Sequence, residues 1–469
     1  MAATLVKVVL VTCVAVSSMF GQVSSSDLEK HTAAAQEAQA KQDFKTAIAE
    51  YELLLRSMPR SAELMSNLGV AYYFDQQFDK AAAVCRKAIA LKPQLEAPHL
   101  FLGLAMYHLS NPDAAGKELK EAVHLQPSDI LAHLWLGYSY VAQSRYEDAR
   151  AEFQEATKLQ PENIDAWYAL GQTNFEIGKE KAQKLLEVAP NGGRVWQLAG
   201  EQFAMNGDAQ KASNAFAEAH HRRADIPADG KADFNNGSVE DALYFDAHGA
   251  EQEAKDAFQH VLEQAPDSAR AHQIAADAYF AQQQFGKAVE EYRRVLASDP
   301  ALPGIHLQIS NSLMIEGQFA QALHECRQEE KLQPRSSQVQ MALGRILLAM
   351  GQDAAAATAL QRSLSLDRPS LETYFLLAKA ELRTGREREA IPLLQHYIAS
   401  QPDDSNGYYL LSRAYRAAGD TEQMEHALAL YQKTSKDVKE RNVAQAALRS
   451  QGSEKALQQL DEADASEQP

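Results

Sequence analysis

Asn311, Arg345, Lys379 and Arg413 stand 34 residues apart in succession (311, 345, 379, 413). Arg383 follows Lys379 by four residues and Arg416 follows Arg413 by three, so each pair shares one face if the segments are helical. Like charges at that spacing repel by about 0.2–0.5 kcal/mol unless something offsets them. A file of fixed cations is suited to holding carboxylates, not to making or breaking bonds. The competing expectation is ordinary pairing with nearby acids such as Glu372 and Glu381.

Signals for bond chemistry are weaker. His324-Glu-Cys-Arg-Gln328 begins like a zinc-protease H-E-x-x-H, but Gln328 replaces the second histidine and no third ligand is suggested. The sequence has no phosphate-cradling glycine loop and no G-x-S-x-G. His99, His133, His272 and His306 fall in separate segments, which suits packing rather than convergence on a metal. His220 and His221, beside Arg222 and Arg223, read as solvated. Asn236-Gly237-Ser238 matches a glycosylation sequon, although a turn followed by a helix cap explains the same three residues. No enzyme activity, cofactor or metal is expected.

The 469 residues carry a formal charge of −17 and are 45% hydrophobic, enough for a large core. That charge argues against nucleic acid or anionic membrane as the main partner. Lys7 is the sole charge before an apolar run, Val8 to Phe20, which gives way to small polar residues. This is the layout of a secretory signal peptide over residues 1–26. Export to the periplasm or the outside is expected, with an uncleaved anchor as the runner-up and no membrane span in the mature chain. Cys85 and Cys326 lie 241 residues apart, so no disulfide framework is implied, and both read as small core residues.

Prolines supply the frame that positions these residues. Pro59, Pro93, Pro127 and Pro161 are spaced by 34, as are Pro266, Pro300 and Pro334, with Pro369 and Pro402 following at 35 and 33. With the proline at position 32, small residues recur at positions 8, 20 and 27, and large ones at 7, 11 and 24. The unit from Ile130 shows the set: Leu136, Gly137, Tyr140, Ala149, Phe153, Ala156 and Pro161. Small residues let two helices approach, large ones fill the space between them, and the proline stops the second helix. This pattern resembles the tetratricopeptide repeat family over residues 28 to 434. The resemblance implies an all-α solenoid, a right-handed superhelix of about twelve antiparallel helix hairpins.

In that family the first helix of each hairpin lines a concave face through positions 2, 5, 9, 12 and 13, where peptides or helices of partners lie. Carried over, this gives an apolar stripe in the first array, including Tyr73, Phe74, Leu104, Tyr107 and Tyr138. In the second array it gives a basic track of Asn311, Arg345, Lys379, Arg383, Arg413 and Arg416. Packing between neighbouring helices is the rival explanation of the stripe. The family's two-carboxylate clamp is not implied, because the first unit has Thr32 and Gln36 at positions 5 and 9.

The frame breaks once. Pro161 to Pro190 is 29 residues, a loss of five, and Pro190 to Pro266 is 76 against 68 for two units, a gain of eight. The expected organisation is a signal at 1–26, a first array at 28–190 with a shortened fifth unit, and an irregular unit and loop at 191–237. A second array at 238–434 and a capping helix with tail at 435–469 complete it. In this reading Gly178 takes the small-residue slot of the short second helix, Ser238 and Asp241 cap the next helix, and the break is a bend. Drift at a tolerant site is the alternative. The function expected is a non-enzymatic protein-interaction scaffold that binds peptide segments or partner proteins, acidic ones in the second array. The alternative is a structural subunit of an envelope or secretion assembly.

Overall fold

The computed structural model describes residues 25–435 apart from 191, 206–207, 223–238 and 367–368. The signal segment, the sequon, Ser238 and the C-terminal helix expected after 435 lie outside the described residues. Every regular element among those described is a helix. Among the described residues, the 21 helices from Ser25–Ala40 to Ser405–Ala418, with helical residues 421–435, pair into eleven hairpins.

Ile130–Ala142 (α7) and Tyr146–Leu159 (α8) form a representative hairpin. Asp129 caps α7 by accepting from the Leu131 amide. Two residues past the helix, Ser144 takes a left-handed φ of 57°, and the Arg145 amide returns to the Tyr140 carbonyl at 2.9 Å. That closure satisfies carbonyls which the helix end would otherwise strand. Position 15 of eight other units is also left-handed, at Gln42, Gln76, Ser110, Gln283, Gly317, Gly351, Gly385 and Gly419. Within the hairpin, a Cβ on Gly137 would stand 2.5 Å from the Phe153 ring, so the position-8 glycine is fixed by the position-24 side chain.

The same glycine-to-ring contact explains the break in the frame. Gly171 faces Phe258, again with 2.5 Å to a hypothetical Cβ. The partner lies 87 residues on (258 − 171) instead of 16 (153 − 137), so 71 residues separate the two halves of one unit. Ile164–Val188 (α9) is a continuous helix of 25 residues, and Val239–Gln264 (α12), of 26, supplies its antiparallel partner. Ala254, Phe258, Val261 and Pro266 are therefore positions 20, 24, 27 and 32 of the fifth unit.

The expected shortened hairpin does not form, because α9 runs straight through Gly178, the position that turns left-handed elsewhere. Lys179 to Glu187 (KEKAQKLLE) consists of helix formers and offers no turn. Gly178 keeps a use: a Cβ there would lie 3.2 Å from the Ala247 carbonyl oxygen, so its absence permits close helix approach. Between the long helices sits a complete small hairpin, Gly193–Met205 (α10) and Ala209–Arg222 (α11), with Gly200 facing Phe216 at the regular spacing of 16. One repeat is nested inside another, and the loss of five and gain of eight are its two ends.

Two compact bodies result. Of the described residues, the first holds those up to Asn174 together with Ala254–Ala265, and the second holds those of Phe175–Glu253 and from Pro266 to 435. The first is built on one continuous core that runs from Ala35 to Leu170 and includes Ala257. The second has separate clusters, around Tyr292 and Ile309, around Leu347 and Leu360, and around Leu394 and Tyr415.

Cys85 and Cys326 are both buried, and burial pushes each thiol up to about 12. The thiolate is the reactive form. Neither cysteine should therefore react with iodoacetamide in the folded chain at neutral pH, and both should react in urea, as peptide mapping would register.

Candidate functional site

In the second body the first helices of successive hairpins are Ala269–Ala281 (α13), Ile305–Ile315 (α15), Ser337–Ala349 (α17), Leu371–Arg383 (α19) and Ser405–Ala418 (α21). From α15 to α21 they pack side by side. The position-9 residues meet across the boundaries: Arg345 Nη2 donates to Asn311 Oδ1 at 2.7 Å, although the two residues are 34 apart in sequence. The buried Nε of Arg345 has no acceptor, and no carboxylate pairs with this half-buried guanidinium.

Lys379 and Arg413 continue the same register, and both are exposed. Arg416, one turn beyond Arg413, is exposed as well, and none of the three makes an ion pair among the described residues. Tyr409, 43% exposed, precedes Arg413 by one turn and packs against Tyr431 at 5.5 Å. The acids named as competitors are engaged elsewhere or free of these cations. Glu381 is buried and takes Arg386 and Gln361, while Glu372 is exposed and unpaired. One expected member of the track drops out. Arg383 reaches back to the preceding unit, where its Nε lies 2.9 Å from the Asp353 carboxylate and its Nη1 donates to the Leu348 carbonyl. Its charge is already met. In this row the cations without a carboxylate partner among the described residues are Arg345, Lys379, Arg413 and Arg416.

The apolar stripe of the first body is interior. Leu104 is 0% exposed and Tyr73 8%, and Phe74, Tyr107 and Tyr138 are half-buried. The Tyr73 ring stands edge-on to Phe101 of the next unit at 5.4 Å, and its hydroxyl is 3.1 Å from His108 Nε2. Tyr107 meets Trp135 at 5.2 Å, and Tyr138 meets Phe153 at 5.2 Å. The expected groove is thus filled by the repeats themselves. Helices such as Ala62–Phe74 (α3), apolar all round, must be covered on every side. His108 lies in this packing, where burial lowers it to about 4, so it is neutral.

The H-E-C-R-Q segment is structural. Glu325 pairs with His306 at 2.7 Å, and Cys326 is a core thiol. Among the described residues, no three of His, Cys, Asp and Glu gather to hold a metal, and no helix is long and apolar enough to cross a membrane.

Tetratricopeptide repeat models match residues 32–96, 307–370 and 375–436, a second such model matches 247–306, and a further one matches 137–178. Together they cover more than half of the chain. The chain belongs to the tetratricopeptide repeat family. No curated protein matches it. Among solved structures it is similar to YrrB, described as a TPR protein with an unusual peptide-binding site, at 17% identity over 38% of this chain and 93% of that one (TM-score 0.35). It is similar to MamA from Desulfovibrio magneticus RS-1 at 16% identity over 43% and 97% (TM-score 0.31). The Cut9–Hcn1 hetero-tetramer of the APC/C matches at 13% identity over 88% and 94% (TM-score 0.39). As a tetratricopeptide repeat protein the chain is a scaffold whose helix rows offer surfaces to protein partners, and its open row of cations is the feature such a surface can use.

Proposed function

We propose that this scaffold holds an acidic peptide segment of a partner protein along α17, α19 and α21. The observation that carries the reading is the run of four cations without a carboxylate partner among the described residues, in a chain of 63 acidic and 46 basic residues. With so many acids available, cations left open at a 34-residue interval await carboxylates from outside. Arg345, fixed by Asn311, orients a guanidinium fork for bidentate contact. Lys379, Arg413 and Arg416 add point charges, and Tyr409 offers an apolar ring beside them. The first 26 residues favour a scaffold that works after export, and the N-terminal sequence of the mature protein checks that part separately.

Lys379→Glu, Arg413→Glu and Arg416→Glu together should weaken binding of a fluorescent glutamate-rich peptide at least tenfold at low salt. Three exposed pairs at about 0.5 kcal/mol each already supply that factor. Wild-type affinity should itself fall as salt shortens the screening length. Fluorescence anisotropy measures both. Unchanged affinity of the triple variant would sink the reading, and because the three side chains are exposed the variant should keep its fold.

A further inference from the structure

In five hairpins a histidine at position 4 meets a glutamate at position 23, nineteen residues later. His31 pairs with Glu50, His99 with Glu118, His133 with Glu152, His272 with Glu291 and His306 with Glu325, at 2.5 to 2.8 Å through Nδ1. His99 and His133 make a second contact. Their Nε2 atoms lie 2.9 and 3.0 Å from the carbonyl oxygens of Pro93 and Pro127, which close the preceding units. In the fifth unit Trp167 holds the same position, and its Nε1–H donates to the Pro161 carbonyl at 2.8 Å. The task of position 4 at these junctions is therefore to donate a hydrogen bond backward to the preceding repeat.

A peptide carbonyl and a carboxylate are both acceptors. A neutral imidazole carries one N–H, so it cannot serve both oxygens. Each pair is complete only when it holds one more proton than neutral histidine plus carboxylate. We infer that His99 and His133 are proton-operated latches, which tie the second repeat to the third and the third to the fourth when protonated and release that tie when deprotonated. The proton joins the Glu–His pair and leaves to solvent, so nothing else changes hands.

The surroundings favour retention of that proton. Glu118 on the paired helix and Glu121 one turn on face His99, while Glu96 on its own helix is pushed up to about 8 by burial and the neighbouring Asp129 and is largely neutral. Glu152 and Glu155 face His133. The hydrogen bond that His99 donates to Glu118 raises the titration of His99 against the pull of burial. For His133, burial lowers it, and Glu152 with the Pro127 carbonyl outweigh that pull. A folded value above the unfolded one, about 6.5, places the stabilisation fully below that pH, and it is lost as pH climbs through the folded value. Trp167 donates at every pH and has no such switch.

Histidine C2-hydrogen exchange, followed by mass spectrometry on the full chain, reads each titration separately. His99 and His133 should show midpoints above about 6.5, and midpoints at or below it would overturn the latch. Glu118→Gln should lower the midpoint of His99 and leave that of His133 in place, and Glu152→Gln should do the reverse. A purely packing role would move neither. The double variant His99→Trp, His133→Trp should lose part of the fall in urea midpoint that the wild type shows between about pH 6 and about pH 9. A fall of equal size in both proteins would also contradict the latch.

Discussion

Replacing Phe258 by alanine should destabilise the first compact body by about 3 kcal/mol, the lower end of the range for removing a phenylalanine ring, because this ring is half-buried. Phe153→Ala, at the equivalent position of the fourth unit and 0% exposed, should cost somewhat more. Phe216→Ala, whose ring fills the nested hairpin, should leave the first body unaffected. The contrast follows from pairing. Phe258 lies 87 residues beyond Gly171 yet closes the same unit, while Phe216 closes against Gly200. Trp135 and Trp167 lie in the first body and Trp196 in the nested hairpin, so with Trp196→Phe as the background, urea unfolding followed by tryptophan fluorescence reports on the first body. Equal effects of Phe258→Ala and Phe216→Ala on that transition would contradict a repeat split by a repeat.

Arg194→Leu should release the nested hairpin. Arg194 and Asp241 are each 1% exposed and joined at 2.7 Å, Nη1 of Arg194 donates to Gln197, and its guanidinium lies over the rings of Tyr244 and Phe245. The Arg194 amide also donates to Glu240 at 2.7 Å. Asp241 is thus a buried anchor of the hairpin, while the cap expected of it with Ser238 lies outside the described residues. Removing one partner strands a buried charge, at a cost of about 3–5 kcal/mol. The loss should appear as local opening, with amides of α10 and α11 exchanging faster while the regular hairpins keep their protection. Arg194→Leu with Asp241→Leu should recover much of that protection, since an apolar pair leaves no charge stranded. Protection that stays low in the double variant would show that the ion pair is not what holds the hairpin.

Much of this architecture can be read from residue types. The proline interval and the Leu-Gly, Ala and Phe positions define a hairpin because each has a steric task there, and the register puts Arg345, Lys379 and Arg413 in one row. Periodicity names a position, not a partner. Ala254, Phe258 and Pro266 look like the second helix of any unit, and only the contact with Gly171 assigns them to the fifth. Likewise Asp353 and Asn311 reach Arg383 and Arg345 from preceding units, a pairing that spacing along one helix does not reveal. The burial of the aromatic stripe is itself legible in the helix composition, since a helix with no polar face cannot line a wet groove. The histidine latch is legible too: a glutamate stands nineteen residues after each position-4 histidine, His31 included.

Carbodiimide cross-linking of a bound glutamate-rich peptide, with sites mapped by mass spectrometry, tests the functional claim most directly, because it joins a lysine only to a carboxylate that touches it. Lys379 should be the main site of attachment, and the yield should fall as salt is raised. Attachment instead to exposed lysines on the second helices of hairpins, such as Lys287 on Phe285–Ser298 and Lys331 on Phe319–Leu332, with Lys379 unmodified, would contradict the account.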